Sequence, residues 1–249
     1  MDDKYYQFNI LKKYPEIIEL YTKKPINGNY LQITEEQLNK IHQTFSSDVN
    51  YKFKKIKTCT QTHSANVTIL NNDNLNDEIE DCDCLITNLK GVALTLTTAD
   101  CQNIFLYDPL NKVIANIHSG WKGTLNKIVL NALQSMQQNF NSKPEDIIAC
   151  ISPSIGQCCF EVDEDVYLLF KETFPYIDQY TISKKKDDKI KYYLDTKELN
   201  RYLLISHGLK PENIEVSEVC TKCQHDIYHS YRADKNEAGR NLSLIAIKE

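Results

Sequence analysis

Three residues far apart in the chain carry side chains suited to one metal ion. His63 stands in Gln61-Thr62-His63-Ser64, just ahead of the strand-like run Val67–Leu70. Cys101 follows Ala99-Asp100 at the end of an alternating stretch that begins at Val92. His118 ends the run Val113–Ile117 and opens the turn His118-Ser119-Gly120-Trp121-Lys122-Gly123. Strand ends are rigid enough to place a ligand or a catalytic group with sub-ångström accuracy. Two imidazoles and one thiolate are good ligands for a first-row metal, and three protein ligands leave a fourth position open for water, the pattern of a catalytic rather than a structural zinc site. The alternative at each position is an ordinary packed or hydrogen-bonded side chain, and no short HxxxH or CxxC spacing ties the three together.

Further candidates are anion binders and thiols. The turn around Trp121, the chain's only tryptophan, places two glycines before a helix, where free backbone N–H groups and the positive end of the helix dipole favour phosphate or carboxylate. Lys122 adds a point charge, and a tight strand–helix turn with a packed Trp121 is the competing reading. Arg232 in Ser230-Tyr231-Arg232 and Arg240 after Gly239 follow turns, where a guanidinium can grip an oxyanion with two parallel hydrogen bonds or simply stay exposed. Cys220-Thr221-Lys222-Cys223 could be half of a zinc site or a redox pair. A four-thiolate site needs a second pair; Cys158 and Cys159 are adjacent, and Cys82 and Cys84 sit in the strand-like CDCLIT, so neither is expected to partner it. Asp100 could orient a ligand, move a proton, or cap a turn.

The elements that must position these groups are clearest in mid-chain. Val92, Leu94 and Leu96 alternate with Ala93, Thr95 and Thr97, a period-two strand. Asn103–Tyr107 and Val113–Ile117 read as two more strands across the turn Asp108-Pro109-Leu110-Asn111. From Thr124 the residues Leu125, Ile128, Val129, Ala132, Leu133 and Met136 fall on one helical face. Pro144 precedes a strand over Ile147–Ile151. Helices are expected over Asp163–Phe174 and over Thr196–His207, the second stopped by Gly208, and late strands over Ile214–Val219 and Leu242–Ile247. Lys184–Lys189 is expected to be a solvated loop or hairpin tip. The class is α+β with mixed sheets, organised as one domain over residues 1–249.

The chain has 249 residues, 41% of them hydrophobic and 25% charged, and a formal net charge of −5. Such acidity argues against a dedicated nucleic-acid binder, which needs a basic face to displace phosphate counterions. No apolar run is long enough to span a membrane, and the N-terminal stretch lacks the apolar core of a signal peptide. Nine cysteines, an odd number, do not suggest a disulfide framework; a reducing, cytoplasmic location is expected.

The series QTHS, TTADCQ, HSGWKG, ISPSIGQCCFEVD, CTKC, SYRAD and AGR, in this order from about Lys57 to the C-terminus, resembles the YfiH family, also called the laccase-domain or polyphenol-oxidase-like family. The resemblance implies an α/β/β/α four-layer sandwich. It implies a metal, Zn2+ or less readily Cu2+, held by His63, Cys101 and His118, with catalysis through the metal-bound water. It also implies purine nucleosides as substrates, with adenosine, inosine and methylthioadenosine split by phosphate and adenosine also deaminated; phosphate would fall to Lys122, Arg232 and Arg240. Removal of faulty cell-wall precursors by an amidase activity is an alternative within the family, and a regulatory or scaffold protein with a vestigial site is a non-enzymatic one. Six histidines cannot supply several imidazoles to each of several coppers, so multicopper oxidation is rejected. The sequence departs from the family in having Lys122 for an arginine, Asn103 for a proline, Ala233 for a second arginine, Ser154 for a cysteine, and Thr22-Lys23-Lys24 for a glycine-rich Thr-x-Arg segment.

Overall fold

A computed structural model describes residues 4–28, 35–186 and 189–249. In chain order the first half runs β1 (Tyr5–Tyr6), β2 (Ile17–Thr22), α1 (Glu35–Asp48), β3 (Lys55–Lys57), β4 (Val67–Ile69), β5 (Cys84–Thr87), β6 (Val92–Thr98), β7 (Gln102–Asp108), β8 (Val113–Ser119), α2 (Trp121–Leu125) and α3 (Ile128–Phe140). The second half runs β9 (Ile148–Ile151), β10 (Glu161–Val162), α4 (Glu164–Thr173), β11 (Thr181–Lys186), β12 (Lys189–Leu194), α5 (Thr196–Ser206), β13 (Ile214–Val216), α6 (Tyr231–Asp234) and β14 (Asn241–Ile247).

Two mixed sheets dominate, one in the order β1-β2-β14-β6-β3 and the other β13-β9-β7-β8-β5-β4. Strand periodicity shows how they stack. Val92, Leu94 and Leu96 of β6 meet Phe105 and Tyr107 of β7 and Ile114 of β8 in one apolar layer, so these faces lie against each other. The alternate residues point outward. Ala93 of β6, with Ile18, Leu20, Leu244 and Ala246, packs on Phe45 of α1. Ile104, Leu106, Val113, Ala115 and Ile117 pack on α3, α4 and α5 through Val129, Leu133, Phe170 and Leu203. The result is helix, sheet, sheet, helices: an α/β/β/α sandwich. A third, small sheet β10-β12-β11 carries the exposed lysines of the 184–189 segment on its hairpin, and Asp187 and Asp188 lie outside the described residues.

Observed bounds differ from the sequence expectation by a residue or two at most strands and helices. The larger difference follows Gly120. Instead of one helix from Thr124, α2 ends at Leu125 and Lys127, in the left-handed region with φ 58°, redirects the chain into α3. The apolar face that continues across the break hides it from a pattern reading. The late strand is also shorter than Ile214–Val219, ending at Val216. Among the described residues no helix is long and apolar enough to cross a membrane.

Candidate metal centre

The sheet topology brings the three expected ligands to one end of the second sheet. β7 and β8 are antiparallel neighbours with Asn103 opposite His118, so Cys101, which precedes β7, and His118, near the end of β8, share that end. Cys101 stands where the chain leaves β6 in one sheet and enters β7 in the other. β5 flanks β8 on its other side, pairing Cys84 with Ile117, and His118 N donates to the Asp83 carbonyl at 2.7 Å. His63 arrives from the loop between β3 and β4.

One ligand atom from each of His63, Cys101 and His118 lies within 4.8 Å of the others. The two imidazole centroids are 4.8 Å apart at an interplanar angle of 80°, and Cys101 Sγ is 4.0 Å from His63 Nε2. His118 is buried, Cys101 half-buried and His63 exposed, so the set opens to one side. A soft sulfur and two imidazoles at this spacing fit a tetrahedral zinc with its fourth position free.

The residue that organises the centre is Asp83, which sequence reading passes over. It is fully buried, and its carboxylate accepts from His118 Nδ1 at 2.7 Å, from the backbone N–H of Thr62, His63 and Ser64 at 3.2, 3.2 and 2.7 Å, and from the Ser64 hydroxyl at 2.7 Å. It thereby leaves His118 Nε2 for an ion and pins the loop in which His63 adopts a left-handed φ of 61°. Burial alone would raise its carboxyl, but the bonds from His118 and Ser64 prevail and hold it down to about 2. The sequence signal is an Asp between two cysteines at the mouth of a buried strand, Cys82-Asp83-Cys84, a charge that must find partners there.

Electrostatics within the centre favour ligation. Burial opposes ionisation of Cys101, yet the charge of His118 and hydrogen bonding with His118 and His63 pull the thiol down to about 6. Burial likewise disfavours the His118 cation, but the Cys101 thiolate and Asp83 raise it to about 9. A thiolate next to an imidazolium is a site in which a cation can take the place of a proton. Gly120 makes the closeness feasible: a Cβ there would fall 2.9 Å from His63 Cδ2 and 3.0 Å from Cys101 Sγ.

A cavity of about 1000 Å³ opens over the three ligands. Trp121, Phe160 and Tyr231 give it aromatic walls, and Arg232 and Arg240 give it positive charge. The Arg232 guanidinium donates to the carbonyls of Cys159 and Glu161 at 3.2 and 3.0 Å and lies 5.7 Å from the Phe160 ring centroid. Arg240 donates to the carbonyls of Ala238 and Gly239 at 3.1 and 3.0 Å. Lys122 is exposed on α2, its Nζ 5.6 Å from the Trp121 ring centroid, and it does not line the cavity. Asp100, in the left-handed region at φ 83°, accepts from Thr221 Oγ1 and from Arg232 N, both at 2.6 Å, and so acts as a clamp between Cys101 and the segment bearing Arg232.

The thiols correct one expectation. Cys158 and Cys159 do partner Cys220 and Cys223: the four sulfurs lie within 4.8 Å of one another. Adjacent residues point apart only in an extended strand, whereas here a turn, with Cys159 N and Phe160 N both bonded to the Gly156 carbonyl at 2.9 Å, turns both thiols to the same side. Cys82 and Cys84 stay buried and outside the cluster.

Residues 28–248 match the family described as multi-copper polyphenol oxidoreductase laccase. A purine nucleoside phosphorylase of Bacteroides thetaiotaomicron is 35% identical over 194 residues, 75% of this chain and 71% of that protein. An adenosine deaminase from an unknown prokaryotic organism is 30% identical over 192 residues, 74% of this chain and 72% of that protein. The crystal structure of Bacillus licheniformis hypothetical protein YfiH superimposes with a TM-score of 0.88 at 25% identity, covering 99% of this chain and 97% of the other.

Proposed function

The chain belongs to the multi-copper polyphenol oxidoreductase laccase family, and from that membership and the chemistry of its cavity we propose that it is a zinc-dependent purine nucleoside phosphorylase that also deaminates adenosine. Phosphorolysis converts a nucleoside and phosphate into ribose 1-phosphate and free base; deamination converts adenosine and water into inosine and ammonia. Copper is the less favoured occupant, and the donor set does not suit a multicopper oxidase: among the described residues only His63 and His118 of the six histidines join a ligand cluster.

The observation that carries the reading is the meeting, in one cavity, of an open three-donor centre with two arginines and three aromatic rings. An ion at His63, Cys101 and His118 would supply Lewis acidity and activation of water at neutral pH. The chain's own groups do the rest. Trp121, Phe160 and Tyr231 give the flat, apolar base surfaces to stack against and exclude water around it. Arg232 and Arg240 offer the guanidinium donors not spent on backbone carbonyls to phosphate. Lys122, beside the wall residue Trp121, adds longer-range positive charge. Asp83 holds the His118 ring in one tautomer, and Asp100, bonded to the Arg232 backbone N–H, ties the Cys101 turn to the segment bearing Arg232 and would so help set the spacing between a bound ion and phosphate. Methylthioadenosine, which keeps the base and ribose of adenosine, is accepted on the same grounds.

Incubating the protein with inosine and with adenosine, with and without phosphate, tests this. Hypoxanthine and ribose 1-phosphate should form from inosine only when phosphate is present, and ammonia from adenosine in either case; no product from either nucleoside would end the proposal.

A further inference from the structure

We propose that Cys158, Cys159, Cys220 and Cys223 bind a second zinc ion, a closed structural one that fastens the wall of the cavity. This does not depend on the nucleoside reading; it would hold for any activity of the same cavity.

The geometry is that of a tetrahedral tetrathiolate site. Zinc–sulfur bonds of about 2.3 Å place tetrahedral sulfurs about 3.8 Å apart. Cys223 Sγ is 3.7 Å from Cys158 Sγ and 3.5 Å from Cys159 Sγ, and the whole set spans no more than 4.8 Å. All four thiols are free. Four sulfurs leave no coordination position for water, and the all-thiolate set selects a soft metal, unlike the open His63–Cys101–His118 centre. The surroundings suit bound thiolates. Gly156 N donates to Cys220 Sγ at 3.2 Å, and a Cβ on Gly156 would come within 3.4 Å of Cys158 Sγ and 3.2 Å of Cys220 Cβ. Binding to neutral thiols releases one proton from each and forms four Zn–S bonds, with no oxidant or reductant.

The place of the cluster gives it a role. From Ser217 to Ser230 the chain forms neither helix nor strand beyond a single bridge between Ser154 and Cys220. Long connections of this kind inside a compact fold usually have a dedicated constraint or function. Two of the sulfurs come from this segment and two from the Gly156–Phe160 turn. The turn supplies Phe160 to the cavity, the segment runs directly into α6, which supplies Tyr231 and Arg232, and Arg232 donates to the carbonyl of Cys159 itself. An ion joining them would hold the aromatic and arginine wall in register with the first metal.

The test uses the purified full-length protein in reducing buffer. In the wild-type chain, iodoacetamide should modify Cys158 and Cys223, the two exposed members, slowly, and a strong chelator should speed their modification at least tenfold by peptide mass spectrometry. The variant His63→Ala/His118→Ala should retain one zinc per chain by elemental analysis, and adding Cys158→Ser and Cys223→Ser should remove it. Modification rates indifferent to chelator overturn the proposal, as does a double-histidine variant that folds and carries no zinc. Disulfides among these cysteines that, once reduced, still give no zinc uptake overturn it as well. Should the variants not fold, the wild-type modification rates decide.

Discussion

Asp83 Oδ1 lies 2.7 Å from Nδ1 of His118, and the carboxylate that makes this bond is the one that also anchors the backbone of Thr62, His63 and Ser64. One buried acid therefore sets the position of two proposed ligands from different parts of the chain. Asp83→Asn keeps the shape but brings an amide N–H toward donors that need an acceptor. Zinc affinity should fall by about 10- to 100-fold, the usual effect of removing a carboxylate behind a metal-bound histidine. Calorimetric titration of zinc into the metal-free chain measures it, and unchanged affinity would remove Asp83 from the account.

Gly120 is required for space, since its φ of −72° is open to any residue. The methyl of Gly120→Ala would press on His63 and Cys101 at 2.9 and 3.0 Å, and relief means separating the donors. Turnover should drop at least tenfold and zinc binding weaken, with the melting temperature nearly unchanged because His63 lies on an exposed loop. A variant as active as the parent would show that the donors need not be this close.

Arg232→Lys separates the two reactions. Lysine keeps the charge but loses the planar fork, so the KM for phosphate in inosine cleavage should rise about tenfold or more while adenosine deamination, which uses no phosphate, holds within about twofold. Equal losses in both would mean that Arg232 serves the cavity wall rather than phosphate.

Glu19 predicts a pH dependence of stability away from the site. It is buried in β2, its Oε1 accepts from Phe8 N at 2.7 Å, and Oε2 has no partner among the described residues. Burial, only partly offset by the Phe8 bond, raises its carboxyl from 4.5 to about 8. The folded chain thus holds a proton that the unfolded chain gives up. The stabilisation is full below about 4.5 and is lost as pH rises toward 8, on the order of 4 kcal/mol across that window. Glu19→Gln should flatten this slope, raising the melting temperature at pH 8 relative to the parent and changing it little at pH 4.5. Parallel pH profiles for the two proteins would contradict it.

The individual strands and the three candidate donors leave local marks in the sequence, whereas the stacking of the sheets and the joining of the donors are implied only by the family resemblance. Alternation in Val92–Thr97 and the hairpin across Asp108–Asn111 set the strands, and two strand ends and the loop before Val67 bear the donors. What the sequence does not carry are relations created by tertiary approach. Asp83 matters only because β5 pairs with β8, a pairing that no local pattern announces. The four thiols converge only because the Gly156 turn orients two adjacent cysteines toward a segment some 60 residues away, whereas adjacency in sequence reads as divergence. The break at Lys127 is invisible because the helical apolar face resumes after it. Lys122 looks like a cavity residue from its turn, yet α2 stacks it over Trp121.

The most direct measurement follows ribose 1-phosphate formation from inosine and phosphate as metal is stripped from the wild-type chain and returned. Activity should vanish with the ion at His63, Cys101 and His118, return once zinc is restored in excess over both proposed sites, and stay absent in folded His118→Ala whatever the zinc added. Full phosphorolysis by the metal-free chain, or by His118→Ala, would contradict the assignment of catalysis to these three donors.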